Sequence, residues 1–530
     1  MDSDRRACLT LFFLALVVRL LVAWSLPGPP YVDAYFYTVG AWRLAEGYGF
    51  TEPFLWHYLD LPTSIPRPGF LYWMPLPSVL AAPLLALFSP VVGRSFLVAQ
   101  VPFILLSSLL SPISYAIACQ TTGLRRHAWA AGLLTLFSGF FFPFWTLPET
   151  FAPFALFGCL ALSVAGRQGR WLDALWVGVL VGLAHLTRAD GVLLLPVVAL
   201  APLISSSTRN AQSTSGAAQS RPRYVICFLS LVLVGYLLAM APWFVRNLRT
   251  IGQPLSPAGT KTLWLRTYDD IACYGCDLSL HSYLAWGWGN ILSSKLSALW
   301  INFQRFLAEN CQILLLPFVL VGLYRLKRRL SFALSILYLF LLYSTHSLIF
   351  TFPGWRGGFF HSSGALLPFL YVAAMEGLDA AVGWVARRRQ RWNLPQARVV
   401  FTTAAVVAAL ALSLYALTQT LPTWRRADAA YREIGAWLKA SDVQSSAVVL
   451  VNNPPGFTYH TGIPSVVVPN GDVETLAAVA DRYQVAYVVL DRNRSEGLAE
   501  VYAGAVTAGL EPVATFNDGE VKLYRWIGSP

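Results

Sequence analysis

Charged side chains are scarce in this sequence. They make up 12% of its 530 residues, against about 25% in a soluble domain. So few charges cannot cover a globular surface, which excludes an ordinary soluble protein. With 56% hydrophobic residues and a mean hydropathy of +0.53, the chain reads as a polytopic membrane protein. Acids are scarcer still than bases, 27 against 39, which leaves a net charge of +12. A basic excess can signal nucleic acid, but here Arg and Lys fall in short clusters between apolar runs. That pattern reports membrane topology, and no nucleic-acid partner is expected.

Cysteine is thin as well. Of seven, Cys8, Cys119, Cys159, Cys227 and Cys311 stand alone within apolar runs, where a thiol behaves as a small apolar group. Cys273 and Cys276 form a C-x-x-C in a polar loop. With no second such pair a zinc site is not expected there; in an oxidising compartment a local disulfide is. A small-x-small cleavage site is missing after the first apolar run, where Pro27-Gly28-Pro29-Pro30 stands instead, so a retained helix is expected over Leu9–Leu26. No G-x-G-x-x-G follows a strand, so no nucleotide site is expected.

What the chain has in plenty is apolar runs of membrane-spanning length. They fall near 8–26, 95–119, 128–146, 150–166, 172–187, 191–206, 224–243, 306–324, 330–351, 362–385 and 398–419. That is eleven expected spans. Leu71–Phe88, apolar too, is either a twelfth span or, as Pro75, Pro77, Pro83 and Pro90 suggest, a helix lying along or dipping into the membrane surface. Arginine counts decide between the two. With eleven spans and the N-terminus in the cytoplasm, the inner loops hold Arg5 and Arg6, Arg125 and Arg126, Arg167 and Arg170, Arg209, Arg221 and Arg223, Arg325 to Arg329, and Arg387 to Arg398. Every inner loop is then basic, as the positive-inside rule requires. The 19 Trp and 23 Tyr suit interfacial belts.

The expected fold class is an α-helical polytopic membrane protein with a small C-terminal α/β domain outside the cytoplasm. Residues 1–421 form the membrane domain, with a first outer loop over 27–94 and a long outer loop over 246–305. The Ser-rich stretch 205–220 reads as an inner linker. Residues 422–530 alternate short β-rich runs (Ala447–Val451, Ser465–Val468, Ala486–Leu490) with helical patterns (Ala427–Lys439, Val473–Tyr483, Gly497–Gly509), the mark of an α/β unit.

This topology gathers polar residues on one face. Asp33 is the first acid after the first span. Glu149 lies between the third and fourth, Arg188 and Asp190 between the fifth and sixth, Arg246 and Arg249 at the end of the seventh, and Arg356 and His361 between the ninth and tenth. Ionisable groups at the membrane boundary are costly to desolvate and mark function. Each has a plainer reading: Asp33 as a solvated loop acid, Glu149 as an acid favoured at a helix N-terminus, Arg188 with Asp190 as a local ion pair, Arg246 snorkelling at the interface, His361 as a turn residue. Arg19, mid-span, needs a partner that the sequence does not name.

The order of Asp33-Ala34-Tyr35-Phe36-Tyr37, Gly47-Tyr48-Gly49, Tyr72-Trp73-Met74-Pro75, Thr187-Arg188-Ala189-Asp190-Gly191 and Pro242-Trp243-Phe244-Val245-Arg246-Asn247 resembles the GT-C superfamily of integral-membrane glycosyltransferases. The likeness is to its protein-mannosyltransferase-like and aminoarabinose-transferase-like branch. That family commonly has a second acid directly after the first-loop Asp; here the position is Ala34. The resemblance implies a polyprenyl-phosphate-linked sugar donor, a glycan, lipid or protein acceptor, contact with membrane lipids, and transfer with inversion. It implies no obligatory cofactor, a divalent cation being the one candidate. Asp33 is expected as catalytic base with Glu149 assisting. Arg188, Asp190, Arg246, Arg249, Arg356 and His361 are expected at the substrates, with Lys261 and Arg266 as weaker candidates. A polysaccharide ligase or polymerase would also use a long outer loop with arginines. A lipid-linked-sugar transporter would show internal repeats and charges at mid-membrane depth; the chain has no repeat, and Arg19 alone lies deep.

Overall fold

The computed structural model describes residues 2–167, 170–204, 221–389, 392–427, 429–444, 446–505, 507 and 509–528; the expected linker 205–220 lies outside them. Helices α1 (Asp2–Trp24), α2 (Val32–Ala45), α3 (Leu76–Val92), α4 (Phe96–Thr122), α5 (Arg125–Leu136), α6 (Phe151–Ala165) and α7 (Trp171–Thr187) open the chain. Long helices follow at Arg221–Ile251, Trp288–Arg305, Leu330–Ser344, Leu367–Arg388 and Leu394–Ala427. By length and apolar composition, six described helical stretches can cross a membrane: Ser3–Trp24, Phe96–Thr122, Pro222–Ile251, Leu330–Ile349, Thr351–Arg388 and Leu394–Ala440. Shorter apolar helices stand beside them.

Two of the eleven expected spans are broken by positive-φ backbone. The 128–146 run breaks after α5, where Gly139 takes φ +62° and a 3-10 turn over Gly139–Phe144 carries Pro143. The 306–324 run is interrupted by positive φ at Gln312 and Ile313, and only Leu316–Leu326 is α-helical at its end. The Leu71–Phe88 segment becomes α3, with Pro83 and Pro90 inside it, packed against α2. Helix α2 itself was not expected, since its Tyr and Phe residues read as a loop belt.

Small residues let the bundle close. A Cβ on Gly178 of α7 would lie 2.0 Å from the Val232 carbonyl, and one on Gly235 would lie 2.1 Å from the Leu175 carbonyl. Only glycine permits two helices to approach so far. At the bundle end away from the cavity described below, Asp379 receives Arg126 at 2.5 Å, His127 at 3.0 Å and Arg398 at 3.6 Å. This paired charge cluster joins α5 to the two helices Leu367–Arg388 and Leu394–Ala427. Arg19 finds its partner in the Leu136 carbonyl at 3.0 Å, with its guanidinium 5.1 Å from the Phe142 ring.

At the other end sit the strands. β1 (Thr51–Glu52) pairs with β3 (Arg67–Pro68) as a short antiparallel ribbon. The tail contributes β4 (Val448–Val451), β5 (Ser465–Val467), β6 (Val485–Leu490), β7 (Leu510–Phe516) and β8 (Val521–Trp526). Between β1 and β3 lies β2 (Phe54–Leu55), which leaves that ribbon and pairs in parallel with β5. The six-stranded order is β2-β5-β4-β6-β8-β7. β2, β5, β4 and β6 run parallel; β8 and β7 are antiparallel. The first loop therefore donates the edge strand of the tail's sheet. Tyr58 seals the joint, its hydroxyl donating to the Val467 carbonyl.

Candidate active site

A cavity of about 1260 Å³ lies between the bundle end and the sheet. Asp33 reaches it from the first turn of α2, and His361 and Arg356 reach it from the kinked segment ahead of Leu367–Arg388. Arg188 and Asp190 reach it from the break between α7 and the next turn. That break is sharp because Gly191 presses on the Ala184 backbone, where a Cβ would lie 2.5 Å from the carbonyl.

Glu149, fully buried, stands directly behind this wall. Its carboxylate lies 3.1 Å from His361 Nδ1 and accepts the Tyr31 hydroxyl at 3.4 Å. Asp33, Glu149 and His361 present one ligand atom each, all within 4.8 Å of one another. Burial, with the Glu149 charge adding to it, pushes the Asp33 carboxyl up to about 7. Burial pushes Glu149 up to about 8 although Arg188 pulls the other way. Two neighbouring acids that resist ionisation are short of positive charge. The donor set is two carboxylates and an imidazole. That chemistry suits a divalent cation, which would supply the missing charge. Position 34, next to Asp33, is alanine, and the carboxylate that stands near Asp33 in space is that of Glu149.

Arg188 is held rather than free. Its Nε donates to Asp190 Oδ1 at 3.2 Å and to Ser362 Oγ at 3.1 Å, and Nη1 donates to Thr150 Oγ1 at 3.4 Å. Asp190 is gripped in turn by Ser362 at 2.5 Å and His346 Nε2 at 2.8 Å. Burial alone would raise its carboxyl, but Arg188, His346 and Ser362 outweigh it and keep the group well below the usual range. So the local ion pair of the plain reading exists, and it aims an arginine at the cavity. Sequence reasoning missed His346 and Ser362. A histidine inside the apolar run 330–351 was the available signal.

Arg356 lines the cavity with its guanidinium 5.1 Å from the Tyr268 ring. Arg305 and Glu309, also unforeseen, line it as a pair 2.6 Å apart. Trp56, Tyr72 and Trp73 add aromatic faces. Arg246 is not brought to the cavity. It donates to the Phe50 carbonyl at 2.9 Å and lies 4.7 Å from the Trp243 ring, bracing the first loop. Arg249 points outward and is exposed. Lys261 and Arg266 also lie off the cavity wall, Arg266 beside Asp270 at 3.8 Å.

Residues 77–235 match the family model of dolichyl-phosphate-mannose-protein mannosyltransferases. No curated protein matches the chain in sequence. Solved structures do match it in shape. ArnT from Cupriavidus metallidurans bound to undecaprenyl phosphate superposes with a TM-score of 0.56 at 13% identity, covering 98% of this chain and 99% of that one. The oligosaccharyltransferase AglB from Archaeoglobus fulgidus, in complex with an inhibitory peptide and a dolichol-phosphate, gives 0.54 at 12% identity over 94% and 71%. The chain has the GT-C fold. A further Archaeoglobus fulgidus oligosaccharyltransferase structure, in complex with Zn and sulfate, gives 0.51 at 12% identity over 92% and 69%. In this GT-C chain the first-loop aspartate, the buried glutamate and the Arg188 network converge at the bundle end where the sheet docks.

Proposed function

We propose that the protein is a membrane glycosyltransferase that moves a sugar from a polyprenyl-phosphate carrier to an acceptor hydroxyl on the extracytoplasmic face. The observation that carries this reading is the convergence of Asp33 with Arg188 on one cavity wall, a base beside a cation held ready for phosphate. Asp33 in its ionised form takes the proton of the acceptor hydroxyl, from within about 3 Å. The acceptor oxygen bonds to the anomeric carbon as the bond from that carbon to the phosphate oxygen breaks, and the electron pair leaves with the polyprenyl phosphate. Arg188, locked by Asp190, meets the growing negative charge on that phosphate, with Arg356 as a second cation in the cavity. One direct displacement inverts the anomeric centre. Trp56 and Tyr72 offer faces for the sugar.

A divalent cation held by Asp33, Glu149 and His361 would supply Lewis-acid stabilisation of the departing phosphate. Glu149 orients His361 and Tyr31. The test is a thin-layer assay of membranes containing the full chain with labelled polyprenyl-phosphate sugars. Asp33→Asn, which keeps the shape and removes the base, is expected to insert normally and lose about 10²–10⁴-fold in rate. Transfer within a factor of a few of the unsubstituted protein would remove Asp33 from the mechanism.

A further inference from the structure

Four strands of the tail's sheet run parallel, and every loop at their carboxyl ends reaches the same cavity. After β2 comes Trp56; after β4, Asn452 and Pro454; after β5, Val468 to Asn470; after β6, Asn493 to Glu496. In open parallel sheets the crevice beyond the carboxyl ends of the strands is where ligands bind, because the loops there are free to vary while the strands hold them rigid. Here that crevice is closed on its far side by the catalytic wall of the membrane domain.

The chemistry of the rim is specific. Asn452 is committed to structure: its amide donates to Asp491 Oδ1 at 2.6 Å and to the Asn493 carbonyl at 2.5 Å, fixing the loop after β6. The side-chain amides of Asn470 and Asn493 make no hydrogen bond among the described residues, and both line the cavity. The Asn470 backbone is itself anchored, donating to the Ala272 carbonyl at 2.8 Å. The long loop adds Ser256, Thr260 and Thr262 to the lining; the two threonine hydroxyls donate to the Pro257 and Gly259 carbonyls and keep their oxygens as acceptors. An amide carries two donors and an acceptor, and a hydroxyl carries both. Groups that both give and accept hydrogen bonds, with the Glu496 and Asp269 carboxylates beside them on the cavity wall, match a ligand that bears many hydroxyls and no negative charge. A lipid tail would call for an apolar groove, and an anionic acceptor for unpaired cations. Arg494 is instead packed 3.9 Å over the Tyr502 ring.

We propose that the carboxyl-end loops of the tail's sheet form the acceptor subsite of the cavity, that its ligand is a neutral glycan, and that Asn470 and Asn493 read the hydroxyls of that glycan. This deepens the transferase reading and rests on it for the reaction, while the binding itself requires no turnover. Arg188 then faces the donor from the membrane side, the sheet presents the acceptor from the aqueous side, and Asp33 stands where the acceptor hydroxyl meets the donor.

The experiment uses the purified full chain in lipid nanodiscs and four neutral probes: mannohexaose, arabinohexaose, cellohexaose and chitohexaose. Saturation-transfer NMR reads binding of each. At least one is expected to bind the unsubstituted protein. Asn470→Ala and Asn493→Ala are each expected to weaken it by about five- to tenfold, the value of one hydrogen bond. Arg246→Ala, at a residue that lies off the cavity, is expected to retain it. Both asparagine side chains lack hydrogen-bond partners among the described residues, so the fold is expected to tolerate the substitutions; size-exclusion profiles check this. Binding of none of the four, or binding indifferent to both substitutions, overturns the proposal. Full transfer activity in Asp33→Asn would defeat the mechanism and leave the glycan result standing, so the two failures are separable.

Discussion

Arg188 carries the sharpest contrast at the scale of single residues. It is bound by Asp190, Ser362 and Thr150 before any substrate arrives, so its aim costs nothing at the moment of reaction. Arg188→Ala is expected to lower kcat/KM by about 10²-fold or more and to weaken donor binding, because the phosphate contact exists in both ground and transition states. Donor titrations of transfer check this, and an unchanged donor KM would place the phosphate elsewhere. Arg246→Ala is expected to leave donor KM near its original value, since Arg246 braces Phe50 and Trp243 away from the cavity. The cluster of Asp33, Glu149 and His361 makes a separate prediction. Exhaustive chelation is expected to reduce transfer at least about tenfold, restored by one divalent metal and not restored in His361→Ala. Chelated protein working at the untreated rate would sink the cation. Asp33 and Arg188 were legible in the sequence because a charge at the end of an apolar run is conspicuous. The contact between Glu149 and His361 was not, since it joins positions brought together only by helix packing. Arg246 shows the limit of such reasoning: position along the chain told its depth, not its direction.

The elements were legible in proportion to their length. Helices α1 and α4 and strands β4, β5 and β6 were foreseen within a few residues, because long apolar runs and β-branched clusters speak for themselves. α2 hid behind its aromatic residues, and β2 is two residues long, too short to leave a periodicity. Yet β2 is the seam of the molecule. Leu55 is fully buried in the core of the tail's sheet with Leu450 and Val466. Leu55→Ala is expected to destabilise the docked sheet by about 2–4 kcal/mol, seen as earlier tryptic cleavage within the tail. A cleavage pattern identical to that of the unsubstituted protein would mean that β2 merely touches the sheet.

At the scale of the whole molecule, the arginine asymmetry is the ground for proposing that the cavity and the sheet lie on the extracytoplasmic side. A reporter enzyme fused after Pro530 is expected to be active only outside the cytoplasm, and cytoplasmic activity would reverse the side on which transfer occurs. The bond between Cys273 and Cys276 agrees with that side; mass spectrometry of unreduced native membranes is expected to find those two cysteines joined. The helical bundle and an α/β tail were both implied by the order of runs along the chain. Their union over one cavity was not, because it depends on a first-loop strand choosing a partner near the other end of the sequence.

That choice has a consequence in time. Tyr58 and Val467 are 409 residues apart in the chain, so during synthesis the first loop emerges long before the strand that receives it. Nearly every helix is made while Phe54 and Leu55 still lack their neighbours. Non-local pairing of this kind is slow and comes late. The cavity is roofed only when the tail has folded and accepted its borrowed strand, so a nascent chain holds an open cavity. Activity should appear as a step at the end of biosynthesis rather than growing with the number of helices inserted.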